Sequence, residues 1–576
     1  MLMEKINTEN EKVVYDAIVI GTGISGGWAA KELCEKGLKT LVLERGEMVK
    51  HIEDYPTAYK DPWDLPNADE PTQEIIKRKP KQHRTGYLTK PSVEHFFVDD
   101  IKHPYNEEKR FDWIRGYHVG GRSIMWGRQS YRLSDVDFEA NKKEGIAVDW
   151  PVRYKEIEPW YDKVEKFIGV SGENLGLKQL PDQKLLKPMN LNCVEEKLKL
   201  KLSEKFDDGR LLTIGRAAHI TEGSKPGLGR GACQYRNRCA RGCPYGAYFS
   251  SNSSTLPTAE ATGNMTLRPN SIVHEIIYDD NLKKATGVKV TDAKTKETQT
   301  YKAEIIFLCA STVGSASILM QSTSERFPDG LGNDSGELGR NIMDHHFHVG
   351  ATAKAKGFDD KINKGRRPNG IYIPRFRNLG GKTDVKNFKR GYGYQGGASR
   401  SSISEMVAEL KYGPELKEAI LKPGEWNINL LAFGETLPNH NNRMYLDYDK
   451  LDDWGLPTVT FNAELGDNEY AMREDMKEQA VKMLTAAGFD DVQGYDIKSN
   501  IALGLGIHEM GTARMGRDPE TSVLNKYNQI HACKNVYVTD GSFMTSSACQ
   551  NPSLTYMAFT ARAVDHAVKQ FKRNKD

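Results

Sequence analysis

The hydrophobic pattern near the N-terminal end predicts a strand, a helix and a second strand. Residues 16–20 read DAIVI, an apolar, β-branched run of the kind found in buried parallel strands. Residues 24–35 have the pattern of a helix, for which Gly37 provides the C-terminal stop. Residues 40–43 are apolar again and end at Glu44. The chain therefore begins with a β–α–β unit.

Similar strand and helix patterns return far along the chain. They predict strands at 265–267, 272–278, 287–291, 302–310 and 535–539, and helices at 153–168, 311–321 and 554–569. Residues 345–500 instead show alternating, aromatic-rich strands such as 426–433 and 443–448, interrupted by one helix at 468–487. Residues 47–109 lack periodicity, which favours a covering loop or an interface.

These patterns predict an α/β fold with two connected domains. A chain of 576 residues is too long for one compact core. A Rossmann-like nucleotide-binding domain would be discontinuous in sequence, and a β-sheet substrate-binding domain would be inserted into it. The predicted nucleotide-binding domain comprises residues 1–150, 215–344 and 501–576, and the predicted substrate-binding domain comprises residues 151–214 and 345–500.

The first turn carries the spacing of a dinucleotide-binding site. Gly21, Gly23 and Gly26 have the spacing G-x-G-x-x-G between the first strand and the helix. Such glycines allow a tight turn, close approach of a pyrophosphate and close helix–strand packing. The helix N-terminus favours an anion, and Glu44 can accept a hydrogen bond from an adenosine ribose hydroxyl. Glu44 argues against a 2′-phosphate, whereas FAD and NAD both fit this stretch.

Charge and hydropathy exclude some classes of partner. The net charge is +3, which favours neither nucleic acid nor an anionic membrane as the main partner. There is no apolar run of about 18 residues, so no transmembrane helix is expected. The first residues lack an apolar segment and a twin arginine, so no signal peptide is expected, which favours the cytoplasm unless a partner carries the chain elsewhere.

Three of the eight cysteines lie close together in sequence. Cys233, Cys239 and Cys243 have the spacing C-x5-C-x3-C-P, and the last part is similar to iron–sulfur ferredoxins. Thiolates are soft ligands for iron clusters or zinc, and three of them fit a 3Fe–4S cluster. Nearby arginines would help to hold thiolates and a negative cluster. Free thiols, a disulfide, or a zinc site with a fourth ligand are the alternatives.

Four segments together resemble one known family. They are GTGISGG at 21–27, VGGRSIMWG at 119–127, GIHEMGTARMG at 506–516 and YVTDGSFMTSSACQNPSLTYMAF at 537–559. The chain resembles the glucose–methanol–choline oxidoreductases, which bind FAD. Its branch is similar to the flavoprotein subunits of sugar dehydrogenases, such as glucoside 3-dehydrogenase and FAD-dependent glucose dehydrogenase, and more distantly to pyranose 2-oxidase.

The resemblance implies a catalytic pair and a set of FAD contacts. His508 matches the family histidine that faces the flavin, and Asn551 matches its partner. Alcohol oxidation removes a hydride from carbon and a proton from oxygen; a neutral imidazole suits the proton step, and an amide can orient the hydroxyl. The implied FAD contacts are Gly21, Gly23, Ile24, Ser25, Gly26, Glu44, Arg45, Gly120, Gly121, Met125, Trp126, Val273, Asp540, Gly541, Asn551 and Ser553.

Met125 stands where some relatives link FAD covalently through histidine, so FAD should be noncovalent.

The resemblance further implies oxidation of a secondary hydroxyl of a sugar or glycoside, with position 3 of a glucoside as the best guess. Hydride would pass to flavin N5, and electrons would leave through the cluster to a cytochrome c-type acceptor. A small partner subunit with a twin-arginine signal would place the enzyme in the periplasm; the cytoplasm is the alternative. The competing interpretations are an O₂-using oxidase without a cluster and a non-redox lyase or isomerase.

Overall fold

The computed structural model describes residues 15–362, 368–401, 413–421 and 423–575, and both helices and strands occur in these ranges. The α-helices are α1 (Ile24–Glu35), α2 (Gln73–Arg78), α3 (Asp135–Phe138), α4 (Ala140–Glu144), α5 (Tyr154–Ile168), α6 (Cys193–Lys205), α7 (Thr255–Glu260), α8 (Thr312–Gln321), α9 (Pro414–Leu421), α10 (Asp467–Ala486) and α11 (Ser553–Lys575). The strands are β1 (Tyr15–Ile20), β2 (Thr40–Leu43), β3 (Asn106–Glu107), β4 (Val170–Ser171), β5 (Leu185–Leu186), β6 (Thr213–Ile214), β7 (Met265–Arg268), β8 (Ser271–Asp279), β9 (Lys284–Asp292), β10 (Thr298–Leu308), β11 (Val349–Ala355), β12 (Ile371–Ile373), β13 (Tyr392–Arg400), β14 (Trp426–Gly434), β15 (Arg443–Leu451), β16 (Pro457–Asn462), β17 (Asp490–Asp496), β18 (Gln529–Ile530) and β19 (Cys533–Val538).

The central sheet has the strand order β18-β19-β10-β1-β2-β7, and β8 and β9 extend from it at β10. Strands β19, β10, β1, β2 and β7 run parallel to one another, so their carboxyl ends lie along one edge. Neighbouring residues of β1 enter different hydrophobic clusters: Ile18 lies in one, and Val19 lies in another with residues of α1 and α11. Apolar side chains therefore cover both faces, as a buried parallel sheet requires.

A second sheet is antiparallel and has the order β17-β11-β14-β13-β12-β6. Helices α6 and α10 pack on one of its faces through a cluster that includes Leu198, Tyr394 and Met476. Gln395, the next residue of β13, lines the large cavity described below. Because successive side chains of a strand alternate between faces, this sheet separates a packed core from a cavity wall.

The α/β fold class, with a Rossmann-like sheet and a second sheet, is confirmed. The helix predicted at 24–35 and the strand predicted at 40–43 have those limits. The strand predicted at 302–310 begins earlier and ends earlier, at Thr298–Leu308, because its first half pairs with β9. The predicted limits of the two domains stay a prediction. None of the helices in the described ranges is long and apolar enough to cross a membrane.

Candidate active site

A cavity of about 600 Å³ lies at the carboxyl ends of the parallel strands and reaches the antiparallel sheet. Its wall includes the residues that follow β1, β2, β10 and β19. Ligands of open α/β sheets bind at this edge of the sheet. The predicted site residues that line the cavity are Gly21, Gly23, Ile24, Ser25, Glu44, Arg45, Gly121, Met125, Trp126, Val273, His508, Asp540, Gly541, Asn551 and Ser553. Gly26 and Gly120 are not among the lining residues.

The glycine turn has the geometry that a pyrophosphate needs. A Cβ on Gly21, whose φ is +95°, would lie 2.4 Å from the carbonyl oxygen of Cys309, and a Cβ on Gly26 would lie 1.9 Å from that of Gly21. These two positions have no room for a side chain. A Cβ on Gly23 would meet no atom of the described residues within 4 Å, because Gly23 faces the cavity. Within the part of the chain that the structure describes, no side chain caps α1 at Gly23, so its N-terminus can receive an anion.

Glu44 holds this turn in place from the end of β2. One carboxylate oxygen accepts hydrogen bonds from the Thr22 amide at 3.1 Å and the Thr22 hydroxyl at 2.5 Å, and the other accepts from the Gly46 amide at 3.0 Å. Burial raises the pKa of Glu44, and these hydrogen bonds oppose the rise. Arg45 lies beside it and pairs with Asp452 at 3.1 Å. The expected contact between Glu44 and a ribose stays a prediction.

Asp540 orders the opposite wall of the cavity. It caps the short 3-10 helix Gly541–Phe543 by accepting the Ser542 amide at 3.0 Å, and it also accepts the Ser315 hydroxyl at 2.5 Å. A Cβ on Gly541 would lie 2.3 Å from the carbonyl oxygen of Glu509. The backbone at Gly541 therefore packs directly against residue 509, and Asp540 and Gly541 both line the cavity.

The two predicted catalytic residues meet in this cavity. His508 Nε2 lies 3.3 Å from Asn551 Nδ2, and Asn551 Oδ1 accepts a hydrogen bond from Gln395 Nε2 at 2.7 Å. Burial holds the pKa of His508 well below 6.5, and the neighbouring His345 and Arg122 lower it further. The imidazole is therefore neutral near neutral pH, as a general base must be.

Further groups around His508 were not assigned from the sequence. His345 Nδ1 lies 3.0 Å from His508 Nδ1. Asp344 accepts the His508 amide at 2.9 Å and the Gly506 amide at 2.7 Å, which fixes the backbone. The run of acidic and imidazole groups at 344–346 was the available signal, but it lies far from His508 in sequence.

An ion pair also borders the site. Arg122 binds Glu509 through two hydrogen bonds of 3.0 and 2.8 Å, and the Glu509 side chain is buried. No sequence pattern predicts this pair, because Arg122 and Glu509 come from distant segments. The ion pair holds the Arg122 guanidinium in the cavity wall beside His508.

The cysteine segment forms a separate, much smaller cavity of about 30 Å³, which has room for little more than a water molecule. Cys233, Cys239 and Cys243 all line it as free thiols. Burial raises the pKa of Cys233 to about 11 and also raises that of Cys243. In the described part of the chain, no three His, Cys, Asp or Glu residues form a group that could hold a metal ion. The structure therefore does not support the predicted 3Fe–4S cluster.

The arginines of this segment have other partners than the thiols. Arg236 donates to the carbonyl oxygen of Ala58 at 2.6 Å, Arg238 pairs with Asp61, and Arg241 donates to the carbonyl oxygen of Lys60 at 3.1 Å. These contacts attach the cysteine segment to residues 58–61. The expectation that nearby arginines help to hold thiolates and a negative cluster stays a prediction.

A dinucleotide turn and a neutral imidazole line one cavity, an arrangement that suits a dinucleotide-dependent oxidoreductase. The sequence comparisons agree. The chain belongs to the GMC oxidoreductase family, because the family's N-terminal model matches residues 15–347 and its C-terminal model matches residues 438–560. It is accordingly an FAD-dependent enzyme that acts on CH–OH groups.

Several characterised proteins are similar over nearly the whole chain. A 2-methyl-1,2-propanediol dehydrogenase of Mycolicibacterium austroafricanum is 27% identical, with 96% of this chain and 95% of the relative covered. The fructose dehydrogenase large subunit of Gluconobacter japonicus is 24% identical, with 98% and 99% covered. The gluconate 2-dehydrogenase flavoprotein of Pantoea cypripedii is 24% identical, with 99% and 96% covered. The solved formate oxidase of Aspergillus oryzae shares the fold, with a TM-score of 0.60, 13% identity, and 98% and 100% covered.

Proposed function

We propose that this enzyme is a dehydrogenase for a secondary hydroxyl of a sugar or glycoside, with position 3 of a glucoside as the first substrate to test. The neutral His508, held against Asn551 in a cavity of about 600 Å³, carries the proposal. The similarity to dehydrogenases of fructose and gluconate supports the substrate class.

The protein groups account for the proton half of the reaction. His508 takes the hydroxyl proton at Nε2, and Asn551 orients the hydroxyl through its amide. Gln395 keeps the Asn551 amide oxygen occupied, so the amide nitrogen faces His508. When bound, FAD supplies the hydride acceptor. The glycine turn, Glu44 and Asp540 would hold this cofactor, without a covalent bond at Met125.

The substrate class is tested by anaerobic titration of the FAD-loaded enzyme with glucosides, free sugars and small diols. We expect a glycoside or sugar to bleach the flavin absorbance, and NMR of the product to locate the new carbonyl. Bleaching by small diols alone would contradict the proposed class. Product formation without flavin bleaching would favour a lyase or isomerase. Equal turnover with O₂ and with a one-electron dye would favour an oxidase.

The electron acceptor is a separate part of the proposal. The spacing C-x5-C-x3-C-P supports a 3Fe–4S cluster on Cys233, Cys239 and Cys243, whereas the small cavity that these cysteines line does not. Iron content is therefore the test, and no mechanistic step is assigned to the cluster. We expect anaerobically purified enzyme to contain about three irons per chain. Cys239→Ser should remove the iron and slow turnover with cytochrome c, while flavin reduction by substrate continues. Cys193→Ser, at a cysteine outside this cavity, is the control.

Iron-free wild-type enzyme that turns over with cytochrome c at full speed would contradict the cluster.

The relatives that support a partner are named as a large subunit and a flavoprotein. We therefore propose a small partner subunit that carries a twin-arginine signal, and co-export to the periplasm. The cytoplasm is the other compartment to examine, and fractionation of cells that express the chain with and without its partner separates the two.

A further inference from the structure

His345 lies directly behind His508 on the side away from Asn551. Its ring is buried, its Nδ1 lies 3.0 Å from His508 Nδ1, and its Nε2 lies 2.9 Å from the carbonyl oxygen of Ala548. The two rings meet edge to face at 4.9 Å between centroids. The mechanism described above gives this residue no role.

The contact with Ala548 determines which nitrogen of His345 carries the proton. A carbonyl oxygen can only accept a hydrogen bond, so His345 Nε2 must donate. Burial lowers the pKa of His345 to about 4, which leaves the ring neutral and its Nδ1 without a proton. Nδ1 must then accept a hydrogen bond from His508 Nδ1, and this leaves His508 Nε2 unprotonated.

The contacts on the other side of His508 give the same tautomer independently. Gln395 donates to Asn551 Oδ1, so the amide nitrogen of Asn551 is the group that faces His508 Nε2. That nitrogen can only donate, and it needs an unprotonated Nε2 to receive the hydrogen bond. The opposite tautomer of His508 would bring two lone pairs together at His345 and two N–H groups together at Asn551.

The surrounding backbone fixes this arrangement. Ala548 and Ile507 both adopt left-handed conformations, with φ of +54° and +58°. Such conformations cost about 1 kcal/mol or more for residues with a side chain and are found at functional sites where the fold holds them. Ser547 is held by Thr436, whose amide donates to the Ser547 hydroxyl at 3.2 Å, while that hydroxyl donates to the Thr436 carbonyl at 3.0 Å.

We propose that His345 is a positioning residue that holds His508 in the tautomer whose Nε2 carries no proton and can accept one from the substrate. This inference rests on the proposed role of His508 as the base. Asp344, Arg122 and Glu509 are the titratable and charged groups near His345 and His508, and burial raises the pKa of Asp344 to about 7. His345 completes a line of hydrogen bonds from Gln395 through Asn551 and His508 to the backbone of Ala548.

Two substitutions of similar volume separate tautomer control from packing. His345→Asn keeps an acceptor near the Nδ1 position, and His345→Leu removes it. We expect His345→Leu to bind FAD but to slow substrate-driven flavin reduction by roughly 10²-fold or more, since the wrong tautomer of a catalytic histidine costs up to about 10⁴-fold in a serine protease. His345→Asn should recover most of the wild-type rate. Stopped-flow absorbance measures both.

Equal rates in the two variants, whether both slow or both near wild type, would overturn the inference. If neither variant binds FAD, NMR of ¹⁵N-histidine-labelled wild-type holoenzyme still decides, with the His508 signals assigned by their loss in His508→Ala. An unprotonated His508 Nε2 supports the inference, and a protonated Nε2 overturns it. A His508→Ala enzyme that reduces its flavin at wild-type speed would instead remove the proposed function.

Discussion

Replacing His508 with alanine is expected to slow substrate-driven flavin reduction by roughly 10²- to 10⁴-fold, the usual contribution of a general base. His508 faces Asn551 at 3.3 Å in the cavity, and its pKa is held well below 6.5, so it is the neutral base of this site. FAD content should not change, because the glycine turn lies elsewhere. Stopped-flow absorbance under anaerobic conditions measures the rate, and Asn551→Ala should show a smaller loss.

The pH dependence of the same rate tests the state of His508. A base works only when it is unprotonated, and burial favours the neutral form of an imidazole. The rate of flavin reduction by the wild-type enzyme should therefore not fall to half at pH 6.5, the ordinary pKa of histidine. It should fall only at lower pH, where His508 becomes protonated. Burial raises the pKa of Asp344, which binds the His508 amide, to about 7, so the profile is compared with that of Asp344→Asn. A midpoint near 6.5 that remains in Asp344→Asn would contradict a buried neutral base. His531, which lies outside the cavity, gives the control variant His531→Ala.

The glycine turn could be predicted residue by residue because its determinants are local. Gly21 has a φ of +95°, and a Cβ on Gly26 would meet the carbonyl oxygen of Gly21; both demands arise within one β–α–β unit of consecutive residues. The limits of α1 and β2 were correct for the same reason. His508 and Asn551 were found from short motifs, and the structure places them in contact.

The rest of the site depends on contacts between distant segments. His345 is 163 positions from His508, and Gln395 is 156 positions from Asn551. No pattern within one element shows such a contact. Helix α6 was missed because charged residues interrupt its apolar face, which becomes clear only where it packs against the second sheet. The cysteine spacing indicated a cluster, but spacing alone does not give the separation of the thiols in the fold.

Gly23→Val is expected to weaken FAD binding without unfolding the chain. The backbone of Gly23 is close to extended, with φ of −65° and ψ of −160°, so no left-handed φ opposes a side chain here. Among the described residues, no atom lies within 4 Å of a Cβ at this position, which would enter the cavity instead. Forcing extra methyl groups into an occupied space costs about 1–3 kcal/mol, which is roughly 5- to 150-fold in affinity.

Valine substitutions at two other glycines serve as controls for the effect of Gly23→Val on FAD binding. Gly231 also has open space at its Cβ position, but it does not line the cavity, so Gly231→Val should keep normal FAD affinity. A Cβ on Gly26 would lie 1.9 Å from the carbonyl oxygen of Gly21, so Gly26→Val should lower the melting temperature as well as the FAD content. FAD fluorescence titration and thermal unfolding distinguish the three variants. If Gly23→Val bound FAD as tightly as Gly231→Val, the pyrophosphate would have to lie away from Gly23.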